Sequence, residues 1–399
     1  MKKIVLLGCN DKTRAIVPIL CKDASITSEI CIASRDKSKC DEIRLKYQGS
    51  PVRISTARVD LNNESGTRMM LSIAQPDMLV NLTEASFSPI IMKLCLEIGV
   101  PYVDGTLFDI GAGDLLSKQF EFFGDFRKKN LTAVVGCDFN PAGITTLVRS
   151  SMEDDFDSID SADIVEMAPK TVAKKMSIKE LVEFTDEGES NLGVSYIEDG
   201  KRVDLEDSTI KVVCKLPDNE EQTFWGKDNI IVEDFLKELP DVPTVRYYST
   251  AVDNKPDTSI LDELSKFGLL SKKPIEIEGV KIAPLDFISK LLENYDSDAP
   301  KNSEKSAHKA DKYGMGIILS GKKNGEPKTS MIYIKDVAKC NAYAVIAGIR
   351  SVANKKWNRA GVFTPCAFKP SIMLESMKRD GFSYEMFDIA PIEVIKEGN

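Results

Sequence analysis

One histidine, His308, serves the whole chain of 399 residues, and it lies in the polar run SEKSAHKADK. A Ser-His-Asp triad, a Cys-His dyad or a histidine zinc site would each have to be built on that single side chain, so all three are set aside. The nine cysteines are scattered, odd in number and never spaced C-x-x-C. That excludes a disulfide framework and a zinc ribbon, and fits free thiols in a reducing compartment. No apolar run reaches the roughly 20 residues that a membrane-spanning helix requires. Positive charge is in deficit: 53 Lys and Arg stand against 62 Asp and Glu, a net charge of −9. A general nucleic-acid binder needs a concentrated Lys/Arg surface, so that class is set aside too. Walker-type, H-E-x-x-H and calcium-loop motifs are missing, and no metal site is expected.

What is present is ordinary globular composition, 42% hydrophobic and 29% charged. The length suggests two or three units. MKKIVLLGCN opens with two lysines and a short apolar run, which Asp11, Lys12 and Arg14 interrupt. It reads as a first β-strand rather than a secretory signal, and a cytoplasmic protein is expected. Over the first 140 residues, short apolar runs (Ile4–Leu7, Glu29–Ala33, Pro51–Ile54, Asp77–Leu82, Val100–Val103, Leu131–Val135) alternate with helical patterns. That predicts a parallel sheet covered on both faces. Beyond residue 150 the texture becomes α+β. Hairpins are expected at Asp199-Gly200 and Asn324-Gly325, a mobile polar loop at 296–312, and a helix over Asp336–Asn354. The expected architecture is a doubly wound α/β unit over residues 1–140, an α+β unit with a mainly antiparallel sheet over 141–335, and a helical return to the first unit over 336–399.

Several short motifs carry chemistry. The loop after the first strand is GCNDKTRA, Gly8 to Ala15. A G-x-G-x-x-G template falls on Gly8, Asn10 and Thr13, so only the first glycine survives. Asn10 would put its side chain where a pyrophosphate lies. Thr13 is β-branched where the helix should pack closely, and Asp11 adds negative charge. Lys12, Arg14 and the Thr13 hydroxyl are available to phosphate at a helix N-terminus. On this loop alone a surface turn and a nucleotide site both stand. The second strand ends in ASRDKSK. Ser34 and Arg35 match the pattern for a 2′-phosphate, where an acid would select NAD. A capped helix start is the bland alternative. Asp60, Asn81-Leu82-Thr83 and Asp104 lie at predicted carboxyl ends of strands, where open α/β sheets bind ligands. Singly, each is a common loop cap. Gly136–Thr145, GCDFNPAGIT, marks the junction of the two units, as a hinge or as a backbone facing ligand.

Four stretches together resemble the saccharopine dehydrogenase family, which takes in saccharopine reductases and carboxynorspermidine synthases. They are ICIASRDKSKCDEI, DMLVNLTEASFSPIIMKLCLEIGVPYVDGT, AVVGCDFNPAGIT and LSKFGLLSKKPIEIEGVKIAPLDFISKLL. The resemblance runs over nearly the whole chain. It implies a Rossmann domain, an α+β substrate and dimerisation domain, and a homodimer. It also implies NAD(P)-linked chemistry that joins or cleaves a C–N bond, by imine reduction or amine oxidation between an amine and a keto acid or aldehyde, here expected to use NADP and an amino acid or polyamine-type substrate. The cofactor supplies the hydride and no histidine is required. The chain departs from the family at Asn10 and Thr13, and at Asn140-Pro141-Ala142-Gly143, which is one residue longer than the family's turn.

On this resemblance, Arg35 and Ser34 hold the 2′-phosphate, and Gly8, Asn10, Asp11, Lys12 and Thr13 line the pyrophosphate. Asp60, Asn81, Leu82, Thr83 and Asp104 flank the ribose and nicotinamide, and Asn140, Pro141 and Gly143 face the reacting carbon. Asp104 or Asp138 handles an imine proton. Arg246 and Arg350 are candidate carboxylate clamps, because the arginine fork matches a carboxylate. A non-catalytic relative that binds a ligand or partner in the same cleft is the competing reading, supported by the eroded glycines.

Overall fold

The protein is described from a computed structural model. The structure describes residues 1–105, 118–167, 194–205, 209–217, 219–250, 264, 266–271, 273, 275–277, 280–288, 291 and 314–397. The expected polar loop at 296–312 lies outside them.

The first sheet is built from β1 (Lys3–Leu7), β2 (Glu29–Ser34), β3 (Arg53–Arg58), β4 (Met78–Asn81), β5 (Tyr102–Asp104) and β6 (Thr132–Val134). Between them run α1 (Asp11–Lys22), α2 (Lys37–Lys46), α3 (Glu64–Ala74), α4 (Ser88–Ile98) and α5 (Phe123–Lys128). In β1, Ile4 and Leu6 enter the core under α1, whereas Val5 and Leu7 enter the core under α3 and α4. Both faces are therefore dry, which is why these strands read as continuous apolar runs rather than alternating ones. All pairings are parallel, and β1 lies between β2 and β4. The chain reverses direction across the sheet at that point, and the strand ends there open into a crevice.

A tight turn, Phe139–Gly143, leads into α6 (Ile144–Asp154). The second sheet follows, with β7 (Ser158–Glu166), β8 (Val194–Glu198), β9 (Lys201–Leu205), β10 (Thr209–Lys215) and β11 (Glu221–Gly226). α7 (Ile231–Glu238) precedes β12 (Thr244–Ser249). A small ribbon, β13 (Ile275–Ile277) and β14 (Val280–Ile282), comes before β15 (Met315–Lys323) and β16 (Glu326–Ile334). Both expected hairpins form; Asp199, Gly200, Asn324 and Gly325 all take positive φ, as a type I′ turn demands. The second sheet is mostly antiparallel, but β7 and β12 are parallel neighbours. Its one face (Ala162, Ile164, Val245, Tyr247) packs on α6 and α7 and shares a core with α1.

The returning helix is α8 (Cys340–Ala353), preceded by a short turn rather than starting at Asp336. It is buried along most of its length between α1 and α9 (Pro370–Arg379). Between the two helices β17 (Gly361–Phe363) adds a seventh parallel strand beside β6. The expectation of a purely helical return over 336–399 is corrected at its end. β18 (Glu385–Asp388) pairs with β16, and β19 (Val394–Glu397) pairs with β10, so the last segment belongs to the second sheet. Among the described residues no helix is long and apolar enough to cross a membrane.

Candidate active site

The crevice at the carboxyl ends of β1, β4, β5 and β6 is where most of the candidate residues meet. Gly8 holds φ +114, and a Cβ there would sit 2.8 Å from the Leu82 carbonyl oxygen. The turn after β1 is thus pressed against the end of β4, and only glycine fits.

Asn10 does not stand in the path of a pyrophosphate. Its φ of −123° is extended, and its side chain folds back as the N-cap of α1. Its Oδ1 accepts from Thr13 N at 3.1 Å, and its Nδ2 donates to the Leu82 carbonyl at 2.7 Å. Thr13 is fully buried without a packing conflict, because its hydroxyl donates to the Gly8 carbonyl at 3.0 Å. The two positions that lost glycine have become a capping box that braces the loop. The amides of Asp11 and Lys12 keep no partner among the described residues, so the helix start retains two donors for an anion.

At the end of β2, Ser34 exchanges hydrogen bonds with Asp36, which caps α2 through Ser38 N. Arg35 is exposed, and its guanidinium has no hydrogen-bond or ion-pair partner among the described residues. Asp60 is exposed past the outer strand β3 and serves its own turn, accepting from Asn62 N at 3.1 Å.

Asn81, Ser88, Tyr102 and Asp104 form a buried network under the strand ends. Asp104 Oδ2 accepts from Ser88 Oγ at 2.9 Å, Tyr102 OH at 2.8 Å and Gln119 Nε2 at 2.6 Å. Asn81 donates to Ser88 Oγ and Tyr102 OH, and its Oδ1 accepts from the Thr83 amide and hydroxyl. Burial, then the Asp104 charge, pushes the Tyr102 phenol well above its ordinary range. The expectation that Asp104 faces the nicotinamide is corrected. It has no exposed surface, and it anchors β5 to α4.

Asp138 follows β6 and is also wholly buried. Lys12 Nζ donates to its Oδ1 at 2.8 Å and its Oδ2 at 2.7 Å, and also to the Gly105 carbonyl. Gly105 cannot carry a side chain: a Cβ would lie 2.6 Å from Val345 of α8. Burial raises the Asp138 carboxyl to about 7; Lys12 opposes the shift, and Asp104 adds to it. Lys12, expected on the pyrophosphate, therefore reaches across the crevice instead.

The junction turn is held from several sides. Its Asn140–Pro141 bond is cis. Thr145 Oγ1 lies 3.2 Å from both the Pro141 and Ala142 carbonyls, and Phe139 N donates to Asn341 Oδ1 of α8 at 3.1 Å. The Asn140 Oδ1 atom is buried without a hydrogen-bond partner among the described residues.

The two arginine clamps are corrections. Arg246 lies on the second sheet's far face, beside Tyr248 and away from α6 and α7, and pairs with the buried Asp163 at 2.9 Å. Arg350 is tied to Asp23 at the carboxyl end of α1, opposite the crevice, and to Asp380 after α9. A charged side chain takes the nearest counter-charge the fold supplies, and sequence spacing does not reveal which one that is.

One buried carboxylate was missed. Asp234 of α7 is 3% exposed, and its Oδ2 has no hydrogen-bond partner among the described residues. The helix packs on the junction turn and on α6. The signal was present in IVEDFLKE, where an aspartate falls on the apolar stripe of Ile231, Val232 and Phe235. Burial raises Asp234 to about 7, and Glu238 adds to the shift. A carboxyl raised above its ordinary 3.8 contributes stability that is complete below pH 3.8 and lost as pH rises through about 7. Asp234→Asn should therefore gain stability over the wild type as pH is raised from 4 to 8, by on the order of 3 kcal/mol. Urea unfolding at the two pH values checks this; a difference that does not change with pH refutes it.

A doubly wound sheet with a switch-point crevice, a braced helix start and a second sheet closing over the junction defines a nucleotide-linked dehydrogenase or reductase. Residues 4–134 match the saccharopine dehydrogenase NADP binding domain. The chain is 24% identical to carboxyaminopropylagmatine dehydrogenase of Synechocystis sp., over 96% of this chain and 97% of that protein. It is 21% identical to carboxynorspermidine synthase of Vibrio cholerae, over 93% and 94%. Its fold matches saccharopine dehydrogenase (L-Glu forming) of Saccharomyces cerevisiae with a TM-score of 0.63 and 13% identity, covering 98% of this chain and 100% of that one.

Proposed function

We propose that this protein is an NADPH-dependent reductase that joins a primary amine to an aldehyde or keto acid by reducing the imine between them. The polyamine-type names of the full-length relatives support an amino acid or polyamine-type substrate. The observation that carries the cofactor reading is Arg35, an unpaired guanidinium at the end of β2, where a ribose 2′-phosphate would lie. Ser34, the α1 amides of Asp11 and Lys12, and Leu82 and Thr83 complete the cradle, and the junction residues Asn140, Pro141 and Gly143 face the reacting carbon. A cytoplasmic homodimer belongs to the same reading, and light scattering tests the dimer.

Calorimetric titration with NADPH and with NADH, in separate runs, is the direct test. Micromolar NADPH binding with much weaker NADH binding is expected. Comparable affinities for the two would remove the role of Arg35. One observation favours the competing, non-catalytic reading: Lys12 spans the crevice. On that reading neither nucleotide binds the wild type, and Lys12→Ala restores binding.

A further inference from the structure

Five arginines occupy the first 60 residues. Three of them face carboxylates: Arg14 lies near Glu42, Arg44 on Asp41 and Arg53 on Glu29. Arg35 and Arg58 are both exposed, and neither has a hydrogen-bond or ion-pair partner among the described residues. The fold places these two together. Arg58 ends β3 directly beside Ser34, the last residue of β2, and Arg35 follows Ser34. The ladder continues past them, with Val59 N donating to the Ser34 carbonyl at 3.0 Å.

Strand alternation fixes the face on which Arg58 stands. Ile54 packs on the core that holds Cys40 and Ile43 of α2, and Thr56 Oγ1 donates to Asp41 Oδ1 of the same helix at 2.6 Å. Arg58 shares that face. Two strand residues advance about 6.8 Å, a little more than one helical turn. Because α2 runs back against the strands, Arg58 stands level with its first turn, beside Lys37 rather than Asp41. The polar groups of that turn are engaged. Asp36 Oδ1 accepts from the Ser38 amide and hydroxyl, and Asp41 holds Lys37, Arg44 and Thr56. Ser34 Oγ donates to the Asp36 carbonyl and accepts from its amide, so it lines the site without a proton to give. Like charges held together without a counter-charge destabilise a sheet edge, and a dianion between them reverses that. An ester phosphate carries about −1.5 to −2 charges at pH 7, more than Arg35 alone neutralises beside Asp36. Edge protection accounts for a cation anywhere along β3; it does not account for one beside Arg35.

We propose that Arg58 is the second arm of a two-arginine clamp on the ribose 2′-phosphate, and that the pair sets the preference for NADPH over NADH. This rests on the NADPH reading above. Arg35 reaches the phosphate from the end of β2 and Arg58 from the end of β3, each donating to its oxygens through the guanidinium fork.

The test is calorimetric titration of the full chain with NADPH, NADH, adenosine 2′,5′-bisphosphate and adenosine 5′-monophosphate. The two short nucleotides carry no nicotinamide, so they report the 2′-phosphate site independently of Lys12 and the junction. Arg58→Ala should weaken NADPH and the bisphosphate by about 10–100-fold and leave NADH and the monophosphate within about threefold. With Arg35→Ala added, NADPH should bind within about threefold of NADH. Arg58→Gln, which keeps the stem and removes the charge, carries the comparison if Arg58→Ala fails to fold. An NADPH preference that Arg35→Ala removes and Arg58→Ala leaves intact would overturn the clamp and keep the NADPH reading. Equal losses for NADPH and NADH in Arg58→Ala would make it a general surface cation and overturn the clamp too. A wild type that binds NADPH no tighter than NADH, and the bisphosphate no tighter than the monophosphate, sinks both.

Discussion

Arg350→Ala should lower unfolding stability by about 3–5 kcal/mol at pH 7, among the largest single-residue effects in the chain. The guanidinium is 7% exposed and closes three elements at once. Its Nε donates to Asp23 at the end of α1, its Nη1 and Nη2 grip Asp380 at 2.9 Å each, and Nη1 also reaches the Ser376 carbonyl. Truncation strands two buried carboxylates, with Arg379 at 3.2 Å the one cation left on Asp23 among the described residues, beside the Ser25 hydroxyl. The cost should itself depend on pH. Burial raises the Asp23 carboxyl, but the Ser25 hydroxyl, Arg379 and Arg350 outweigh it and hold it below its ordinary 3.8. A lowered carboxyl contributes stability present above its unfolded pKa and lost as pH falls through the folded one. The gap between wild type and variant should therefore narrow below about pH 4. Urea titrations followed by circular dichroism at pH 7 and pH 3.5 measure both effects. A loss under about 1 kcal/mol at pH 7 would mean that the cluster behaves as a solvated surface pair.

Arg35→Ala should weaken NADPH binding by about 10–100-fold and leave NADH within a factor of three, since a hydrogen bond to a charged partner contributes about 1.5–3 kcal/mol. The difference between the two nucleotides is one phosphate, so the ratio isolates the site from general damage to the loop. Arg35 suits the role because no described residue pairs with its guanidinium. Its neighbours Ser34 and Asp36 are occupied with each other and with the start of α2, and Lys39 stays close to Asp36. Equal losses for NADPH and NADH would place Arg35 outside the 2′-phosphate contact.

The Rossmann half was legible because its signals are local and repeated. Apolar runs of four to six residues alternate with helices, Gly99 ends α4 with φ 76°, and Asp199-Gly200 and Asn324-Gly325 make their hairpins. The three-residue β17 had no such signal. Gly361–Phe363 is a strand because Thr132–Val134 lies beside it, more than 200 residues away in the chain. β18 and β19 are likewise strands by partnership.

At the crevice, sequence singled out as candidates Gly8, the end of β2 with Arg35, the strand ends at Asn81 and Asp104, and the junction around Asp138 and Asn140, and the structure places them at the strand ends of the first sheet and the turn that follows. A glycine that alone fits a backbone contact, or an arginine in place of an acid, is written in the residue itself. Tertiary structure alone decided what each charged or polar group does there. Asn10 became a brace because Leu82 offers a carbonyl. Asp104 became an anchor because Ser88, Tyr102 and Gln119 surround it. Arg246 and Arg350 left the crevice for Asp163, Asp23 and Asp380. Lys12 crossed the crevice to Asp138, 126 residues away. Buried charge and hydrogen-bonding capacity must be met by whatever partner the folded chain brings near, and that partner is fixed by packing rather than by spacing along the sequence.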